Sequence, residues 1–257
     1  MAQTEPDRIV TYKQVDGVSL DLHIFNPPGH SASDEAPAIV LFFGGGWKTG
    51  APKQFYPQSR HFASRGMVAI CPDYRTEGRH GTSPGECVKD ARSALRWVRS
   101  HAVELGVDPV RIVAGGGSAG GHLAAAVALL NGFDEQGEDT SVSPKPSALV
   151  LFNPVVDNGP GGYGYERVKA FWKSFSPLHN LDKGAPPTLV MLGTGDHLIP
   201  VATAEAYKTK MESFGVRCDL ILYEDQPHGF FNQARYQETL QASDGFLVSL
   251  GYLPAVK

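Results

Sequence analysis

Short apolar runs recur along the chain and alternate with segments of helical spacing. The runs are rich in β-branched and aromatic side chains, which predicts buried strands. They lie at Ala38–Phe43, Met67–Cys71, Arg111–Ala114, Ala148–Phe152, Thr188–Leu192 and Asp219–Tyr223. Helices are predicted at Ser59–Arg65, Glu86–Leu105, His122–Leu130, Ala202–Phe214 and Tyr236–Leu250. This alternation is typical of an α/β fold, a mostly parallel sheet with helices on both faces.

The N-terminal part of the chain follows a different pattern. Residues Ile9–Tyr12 and Ser19–Ile24 alternate between apolar and polar side chains. Asp16-Gly17 lies between them, and a DG pair is a strong signal for the turn of a hairpin. We therefore expect an antiparallel hairpin to precede the parallel part of the sheet.

The other stretches lack a simple period. Asn26–Pro37, Arg75–Gly85 and Asn131–Pro146 are rich in Pro, Gly or charged residues, which predicts loops. Val155–Lys183 contains the sequence GPGGYGY and several aromatic residues, and we interpret it as an insertion at the sheet edge, over the active site. Because the chain has no internal repeat and no low-complexity linker, residues 1–257 are predicted to form a single domain.

Composition excludes some classes of function. The 257 residues carry a net charge of −4 without a basic block, which argues against nucleic acid as a partner. The apolar runs are too short to span a membrane, and the polar N-terminus is not a signal peptide. The sequence as given thus indicates a cytoplasmic protein, or a periplasmic or secreted one if a signal has been removed. Cys71, Cys87 and Cys218 are far apart and in apolar contexts, so we expect free structural thiols.

One glycine-rich segment holds a serine between a predicted strand and a predicted helix. Ser118 stands in GGSAG, which fits the G-x-S-x-G nucleophile elbow, a sharp turn that exposes the serine hydroxyl. The same turn places the N–H of Ala119 at a helix N-terminus, where it can face a developing oxyanion. The pattern alone also fits a glycine-rich connection whose serine merely caps the helix.

Other candidate groups follow other strands. Gly44–Gly46 follow one strand, Asp196 a second and His228 a third. Because functional groups of open α/β sheets gather beyond the carboxyl ends of the strands, we expect them to meet Ser118. An imidazole can deprotonate a serine near neutral pH, and a carboxylate can hold the imidazole in the required tautomer. The chain order Ser, Asp, His is that of α/β hydrolases.

Each of these residues has a plainer interpretation. Asp196 fits a turn or a helix cap, and His228 fits a loop histidine. Asp73 also follows a strand and is the second candidate for the acid, although it precedes the serine in the chain. Gly44–Gly46 could cradle a phosphate, but this segment lacks the signature of a dinucleotide or P-loop site. His122 is expected to be a packing or hydrogen-bonding residue of the elbow helix.

Several motifs together resemble the α/β-hydrolase superfamily, and most closely its hormone-sensitive-lipase-like and carbohydrate-esterase-like branch, which includes acetylxylan and feruloyl esterases. The motifs are VRIVAGGGSAGGHL at Val110–Leu123, FFGGGW at Phe42–Trp47, PDYR at Pro72–Arg75, GTGDHLIP at Gly193–Pro200 and HGF at His228–Phe230. The resemblance implies ester hydrolysis through an acyl-enzyme, without a metal or cofactor. It assigns the nucleophile, acid and base to Ser118, Asp196 and His228, and the oxyanion donors to the N–H groups of Gly45, Gly46 and Ala119.

The sequence departs from that family at a few places. Phe43 stands where the glycine loop usually begins with His, and Gly117 stands where Asp usually precedes the nucleophile. Residues 1–37 show no long helical cap, which leaves the insertion as the main wall over the site. Trp47 and Tyr163 are the candidates for contact with the substrate, and the aromatic residues of the insertion fit a structural cluster at least as well.

These observations predict a serine carboxylesterase for short acyl esters, such as acetyl or feruloyl esters of plant polysaccharide fragments. Its partner is then a small-molecule or oligosaccharide ester, and the oligomeric state stays open. An amidase or peptidase with the same triad is an alternative. A non-catalytic binding protein on a hydrolase scaffold is another, although the complete set of Ser, Asp and His argues against it.

Overall fold

All strands of the described chain belong to one eight-stranded sheet. The computed structural model describes residues 5–255. The strands are β1 (Arg8–Val15), β2 (Val18–Phe25), β3 (Ala36–Phe42), β4 (Val68–Pro72), β5 (Val107–Gly117), β6 (Ala148–Phe152), β7 (Thr188–Gly193) and β8 (Cys218–Tyr223). Their spatial order is β1-β2-β4-β3-β5-β6-β7-β8. The hairpin β1–β2 and the pair β2–β4 are antiparallel, and all other pairs are parallel.

The N-terminal hairpin turns where the sequence predicts it. Asp16 has a φ of 51° and Gly17 a φ of 76°. Two successive residues of positive φ are the mark of a type I′ turn, whose twist suits the two flanking strands. The predicted hairpin is thus confirmed, with both strands longer than the alternating pattern indicated.

Helices cover the sheet on both faces. They are α1 (Tyr56–Ser64), α2 (Glu77–His80), α3 (Pro84–Ser100), α4 (Ala102–Leu105), α5 (Ala119–Leu129), α6 (Tyr165–Val168), α7 (Trp172–Phe175), α8 (Val201–Ser213) and α9 (Tyr236–Ser249). The connection through α1 runs along the sheet in the opposite direction to those through α3, α5 and α8. Because such crossovers are right-handed, α1 lies on the other face from those three helices. A hydrogen-bond contact of 2.9 Å between Nε2 of His61 and Oδ1 of Asp244 joins α9 to α1.

The elbow differs in detail from its prediction. We expected a glycine turn over residues 115–121, yet β5 continues through Gly117 and α5 begins at Ala119. The turn is therefore confined to Ser118. Glycine is required around it because the strand and helix backbones approach closely there. A Cβ at Gly120, for example, would lie 2.0 Å from the carbonyl oxygen of Phe42.

Two other boundaries were predicted wrongly. The stretch Glu86–Leu105 forms two helices, α3 and α4, that meet at His101. Helix α3 begins before the predicted range because Ser83 and Glu86 form a capping box there. The expected loop Arg75–Gly85 contains the short helix α2. Helices of one turn leave too little periodicity to be detected in a sequence.

The insertion is built from helical segments of a single turn. Helices α6 and α7 and a 3₁₀ segment, Pro177–Asn180, follow one another between β6 and β7. Phe175 packs on His122 of α5, with ring centroids 4.2 Å apart, and on Trp47, at 5.8 Å. The insertion therefore packs on the glycine loop after β3 and on helix α5, which follows β5. Because β3 and β5 are the two central strands of the sheet, the insertion does not lie at the sheet edge.

A cluster of buried charges ties the hairpin to the parallel part of the fold. Lys13 of β1 lies 2.7 Å from Asp90 of α3 and 2.8 Å from Glu135, and Arg75 contacts the same two carboxylates at 2.8 Å. Charged side chains are rarely buried without partners, and here two cations face two anions. Burial raises the pKa of Glu135, but the hydrogen bond and charge of Lys13, with the charges of Lys89 and Arg75, lower it to about 2.

We predict that Glu135→Gln lowers the free energy of unfolding by about 2 kcal/mol at pH 7, because it leaves buried cations under-paired. The folded-state pKa of Glu135 lies below its ordinary value of 4.5, so its stabilisation is complete above 4.5 and is lost as the pH falls toward 2. The difference between the variant and the wild type should therefore shrink below pH 5, as measured by urea unfolding.

Glu166→Gln is the matched control, because its ion pair with Lys169 is long, at 3.7 Å, and both side chains are exposed. Such a pair contributes about 0–1 kcal/mol. Equal losses for the two variants at pH 7 would contradict a stabilising role for the buried cluster.

Candidate active site

A glycine loop follows β3 at the carboxyl edge of the sheet. The N–H of Gly44 donates to Oε1 of Gln54, at 2.6 Å, which anchors the loop to the segment before α1. Gly45 has a φ of 128°, and a Cβ there would lie 2.2 Å from the carbonyl oxygen of Thr49. Only glycine fits this backbone, so the residue type is required by the shape of the loop.

Phe43 precedes this loop at the position where the family usually has His. Its ring stacks on Tyr74, with centroids 3.9 Å apart and planes 11° from parallel. The Tyr74 hydroxyl donates to the Phe43 carbonyl oxygen at 2.7 Å. Burial raises the pKa of Tyr74 well above its ordinary value, so the phenol keeps its proton and this hydrogen bond. An aromatic stack thus fixes the start of the glycine loop.

Ser118 lies at the tightest point of the elbow. Its φ of 55° and ψ of −119° are strained for a residue with a side chain. The strain is held by backbone hydrogen bonds: its N–H donates to Phe152, and its carbonyl accepts from His122 and Val155, all at 3.0–3.1 Å. As a result the half-buried Ser118 side chain reaches the cavity beyond the strands.

Asp196 and His228 form the pair expected of an acid and a base. Oδ2 of Asp196 lies 2.7 Å from Nδ1 of His228. Its Oδ1 accepts from the N–H groups of Leu198 and Ile199, at 2.8 and 3.0 Å. Burial raises the pKa of Asp196, but the hydrogen bonds from His228, Ile199 and Leu198 outweigh it and the pKa is lowered. The carboxylate is therefore ionised at neutral pH.

The ionised carboxylate fixes the tautomer of the imidazole. A carboxylate only accepts hydrogen bonds, so Nδ1 of His228 must carry the proton and the lone pair of the neutral ring lies on Nε2. Among residues 5–255, the Ser118 hydroxyl makes no hydrogen bond to Nε2 or to another protein group. Both side chains nevertheless line the same cavity, and catalytic hydrogen bonds are often long before substrate binds.

Asn153, which sequence analysis missed, contacts His228 and the residue that follows it. Its Oδ1 accepts from the N–H of Gly229 at 3.1 Å, and this contact sets the orientation of the amide. Nδ2 then faces Nε2 of His228 at 3.4 Å. Asn153 is fully buried and has a φ of 34°, a strained conformation for a residue with a side chain. It stands directly after β6, and that position was the only available signal.

The cavity that joins these groups has a volume of about 250 Å³. Its lining comes from the glycine loop, the elbow, the ends of β6 and β7, and the segment after His228. The lining residues are Gly44, Gly45, Gly46, Gln54, Gly117, Ser118, Asn153, Tyr163, Leu198, His228, Gly229, Phe231 and Asn232. Gln54, Phe231 and Asn232 were not anticipated from the sequence.

Three backbone N–H groups remain available beside Ser118. In the described part of the chain, the N–H groups of Gly45, Gly46 and Ala119 donate to no other protein group. Ala119 is the first residue of α5, where helices leave N–H groups without an intrahelical acceptor. These groups are those expected to form an oxyanion hole.

The two candidates for substrate contact differ in their placement. Tyr163 lines the cavity, whereas Trp47 is fully buried and does not. The Trp47 ring packs on Tyr163, Phe175 and His122, and the guanidinium of Arg167 lies 5.5 Å from its centroid. Trp47 is therefore wrong as a substrate contact, because the insertion covers the ring and makes it a support for the loop.

The remaining candidates lie outside the cavity. Asp73 is bound by Arg79 at 2.5 and 2.8 Å, so it is not the partner of the base. His122 is buried, and its Nε2 lies 3.0 Å from the carbonyl oxygen of Phe175. Burial lowers the pKa of His122 to about 3, which keeps the ring neutral in its packing role.

The structure also bears on the expectations for the cysteines, for metal-binding groups and for membrane-spanning helices. Cys71, Cys87 and Cys218 are free and buried. Within residues 5–255, no group of three or more His, Cys, Asp or Glu is arranged to hold a metal ion. None of the helices in that range has the length and apolar character needed to cross a membrane.

Solved structures of Thermogutta terrifontis esterase 2 resemble this chain over nearly its whole length. The butyrate-bound form is 42% identical, with a TM-score of 0.94 over 99% of this chain and 98% of that chain. The form phosphoramylated by tabun is 44% identical, with a TM-score of 0.93 over 97% and 96% of the two chains. The predicted fold, with its N-terminal hairpin, is confirmed.

Curated relatives show the same kind of similarity. A probable carboxylic ester hydrolase, LipM of Mycobacterium tuberculosis, is 29% identical over 89% of this chain and 58% of its own length. A probable isoprenylcysteine alpha-carbonyl methylesterase, ICMEL1 of Arabidopsis thaliana, is 26% identical over 86% of this chain and 50% of its own. This chain thus spans about half the length of the curated relatives it matches.

The fold and these similarities define the class, the α/β hydrolases. Within that class the chain belongs to the BD-FAE family, whose model matches residues 22–160, more than half of the chain. A second model, described as alpha/beta hydrolase fold, matches residues 165–232. The resemblance inferred from the motifs is therefore confirmed.

We predict that Asn153→Ala lowers kcat for p-nitrophenyl acetate about tenfold with little change in KM, because the hydrogen bond from the N–H of Gly229, which holds the segment that carries His228, is lost. Asn153→Asp keeps an acceptor for the N–H of Gly229, so it should lose less of kcat than Asn153→Ala. Asn180→Ala, which removes an amide bonded to backbone in the insertion, is the control. A change in KM alone would show that Asn153 contacts substrate and does not position the base.

Proposed function

We propose that this protein is a serine carboxylesterase that uses Ser118, His228 and Asp196 on short-chain acyl esters. The observation that carries the proposal is the 2.7 Å contact of Asp196 with Nδ1 of His228, beside a serine in a strained elbow. The pair leaves the lone pair of the ring on Nε2, and His228 lines the same cavity as Ser118. That is the arrangement an activated serine requires.

The proposed reaction begins with proton transfer. Nε2 of His228 takes the hydroxyl proton of Ser118 while Oγ attacks the ester carbonyl carbon. The N–H groups of Gly45, Gly46 and Ala119 donate to the resulting oxyanion, and Asp196 stabilises the imidazolium. His228 then gives its proton to the departing alcohol. Water repeats the same steps on the acyl-enzyme and releases the acid.

The size of the cavity supports a small acyl group. Ligand pockets usually measure about 300–1,000 Å³, and this one, at about 250 Å³, is smaller. The related esterase of Thermogutta terrifontis has been solved with propionate bound and with butyrate bound. We therefore propose acetyl to butyryl esters as substrates, in preference to the bulkier feruloyl esters.

The alcohol is proposed to be a plant-type polysaccharide fragment, as the motif resemblance suggests. Tyr163 supports this part of the proposal, since its half-buried ring lines the cavity and an aromatic ring can pack against a sugar face. The GPGGYGY segment that carries it belongs to the insertion, which the proposal makes the wall over the active site.

Removal of the nucleophile is the direct test. Ser118→Ala should reduce kcat/KM for p-nitrophenyl acetate by about 10⁴-fold or more, and Asp196→Asn by about 10⁴-fold, since each disables the triad. Paraoxon, which phosphorylates the related esterase, should add one diethylphosphoryl group to the wild type, located on Ser118 by peptide mass spectrometry. Ser213→Ala, on an exposed turn of α8, is the control. Full activity of the Ser118→Ala variant would contradict the proposal.

A substrate panel tests the proposed bond and acyl size. We expect the wild type to cleave p-nitrophenyl acetate and butyrate at least tenfold faster than the octanoate, since longer chains exceed the cavity. Acetylated xylan should release acetate, methyl ferulate should react slowly, and p-nitroacetanilide should stay intact. Cleavage of the anilide at a rate close to that of the ester would favour the amidase instead.

A further inference from the structure

Gly117, immediately before the nucleophile, faces the ring of Phe231. A Cβ built on Gly117 would lie 2.4 Å from Cζ and 2.9 Å from Cε1 of that ring. Real Cβ atoms do not approach so closely, and a buried ring cannot swing away freely. The space that a side chain at position 117 would occupy is therefore filled by Phe231.

Phe231 is held rigidly in that place. It belongs to the short 3₁₀ segment Phe230–Asn232, which follows His228, and only 3% of it is exposed. Its ring stacks on Phe55, with centroids 5.5 Å apart and planes 16° from parallel, and packs on Phe152 at 5.0 Å. The ring nevertheless lines the cavity together with Ser118.

The two sides of the cavity differ in their access to solvent. Leu198 also lines it and is 48% exposed, so the cavity is open to solvent beside Leu198, whereas the wall formed by the Phe231 ring is buried. During ester hydrolysis the alcohol must leave and be replaced by water, while the acyl group stays on the serine. The open side therefore suits the alcohol, and the closed side suits the acyl chain.

We propose that Phe231 limits the length of the acyl chain, and that glycine at position 117 is the residue that makes room for its ring. This inference rests on the proposed esterase activity and adds to it the residue that sets acyl specificity. It also explains a departure from the family pattern: at position 117 a glycine is required by Phe231, a residue far away in the sequence.

The first test compares chain lengths. Each buried methylene contributes about 0.8 kcal/mol, or about fourfold in kcat/KM, so Phe231→Ala should raise the octanoate-to-acetate ratio about tenfold or more. Phe231→Leu should give a smaller rise. Phe62→Leu is the matched control, since this buried ring of α1 packs on His61 and does not line the cavity, and its ratio should equal that of the wild type.

The second test addresses the shared space. Gly117→Ala should lower kcat/KM for p-nitrophenyl acetate at least tenfold, because its methyl group displaces the ring, and adding Phe231→Ala should restore part of the loss. Additive effects of the two substitutions would contradict the shared space. Thermal unfolding of each variant checks that the ratios come from folded protein.

A third series varies the alcohol at constant acetyl. If Phe231→Ala changes only the preference among alcohols, or leaves both series unchanged, the inference is wrong. Absence of wild-type hydrolysis of p-nitrophenyl acetate would instead count against the proposed esterase. The ratios between chain lengths and the absolute rate of the wild type thus report on the two proposals separately.

Discussion

The site depends on one strained residue, Ser118. Its backbone departs from both strand and helix, and it is held there because Phe152 accepts its N–H while His122 and Val155 donate to its carbonyl. These bonds reach β6, α5 and the start of the insertion, so three separate elements enforce a single conformation. A serine capping a relaxed helix would need no such restraint. The strain therefore supports the elbow interpretation over the capping one, in a way that the glycine pattern alone does not.

The sequence's departures from its family are compensated locally by aromatic rings. Phe43 takes the place of the usual His, and the start of the glycine loop is fixed by its stack with Tyr74 and by the hydrogen bond from the Tyr74 hydroxyl to the Phe43 carbonyl oxygen. Gly117 takes the place of the usual Asp, and the ring of Phe231 fills the space. In both places an aromatic ring from a segment distant in sequence packs at the position where the sequence departs from the family.

Much of the architecture was predictable because parallel strands and amphipathic helices leave clear periods, and because strand ends converge at one edge. The hairpin, the α/β fold and the grouping of Ser118 with Asp196 and His228 all follow from that. The internal structure of the insertion could not be predicted in this way, because helices of one turn have no period to detect. Trp47 was misplaced because burial of an aromatic side chain depends on what covers it. Asn153 and Phe231 escaped notice because their roles arise from contacts between segments remote in sequence.

The segment Pro72–Arg75 couples the stability of the fold to the geometry of the candidate site. Arg75 joins the buried charge cluster through Asp90, and the preceding Tyr74 holds the carbonyl of Phe43, next to the glycine loop. A disturbance of the cluster can therefore reach the N–H groups proposed to form the oxyanion hole through only two consecutive residues. Breaking the cluster should affect catalysis as well as folding, whereas a loss of stability elsewhere, such as in α8, should affect folding alone. The charge cluster is then part of what keeps the oxyanion donors in place.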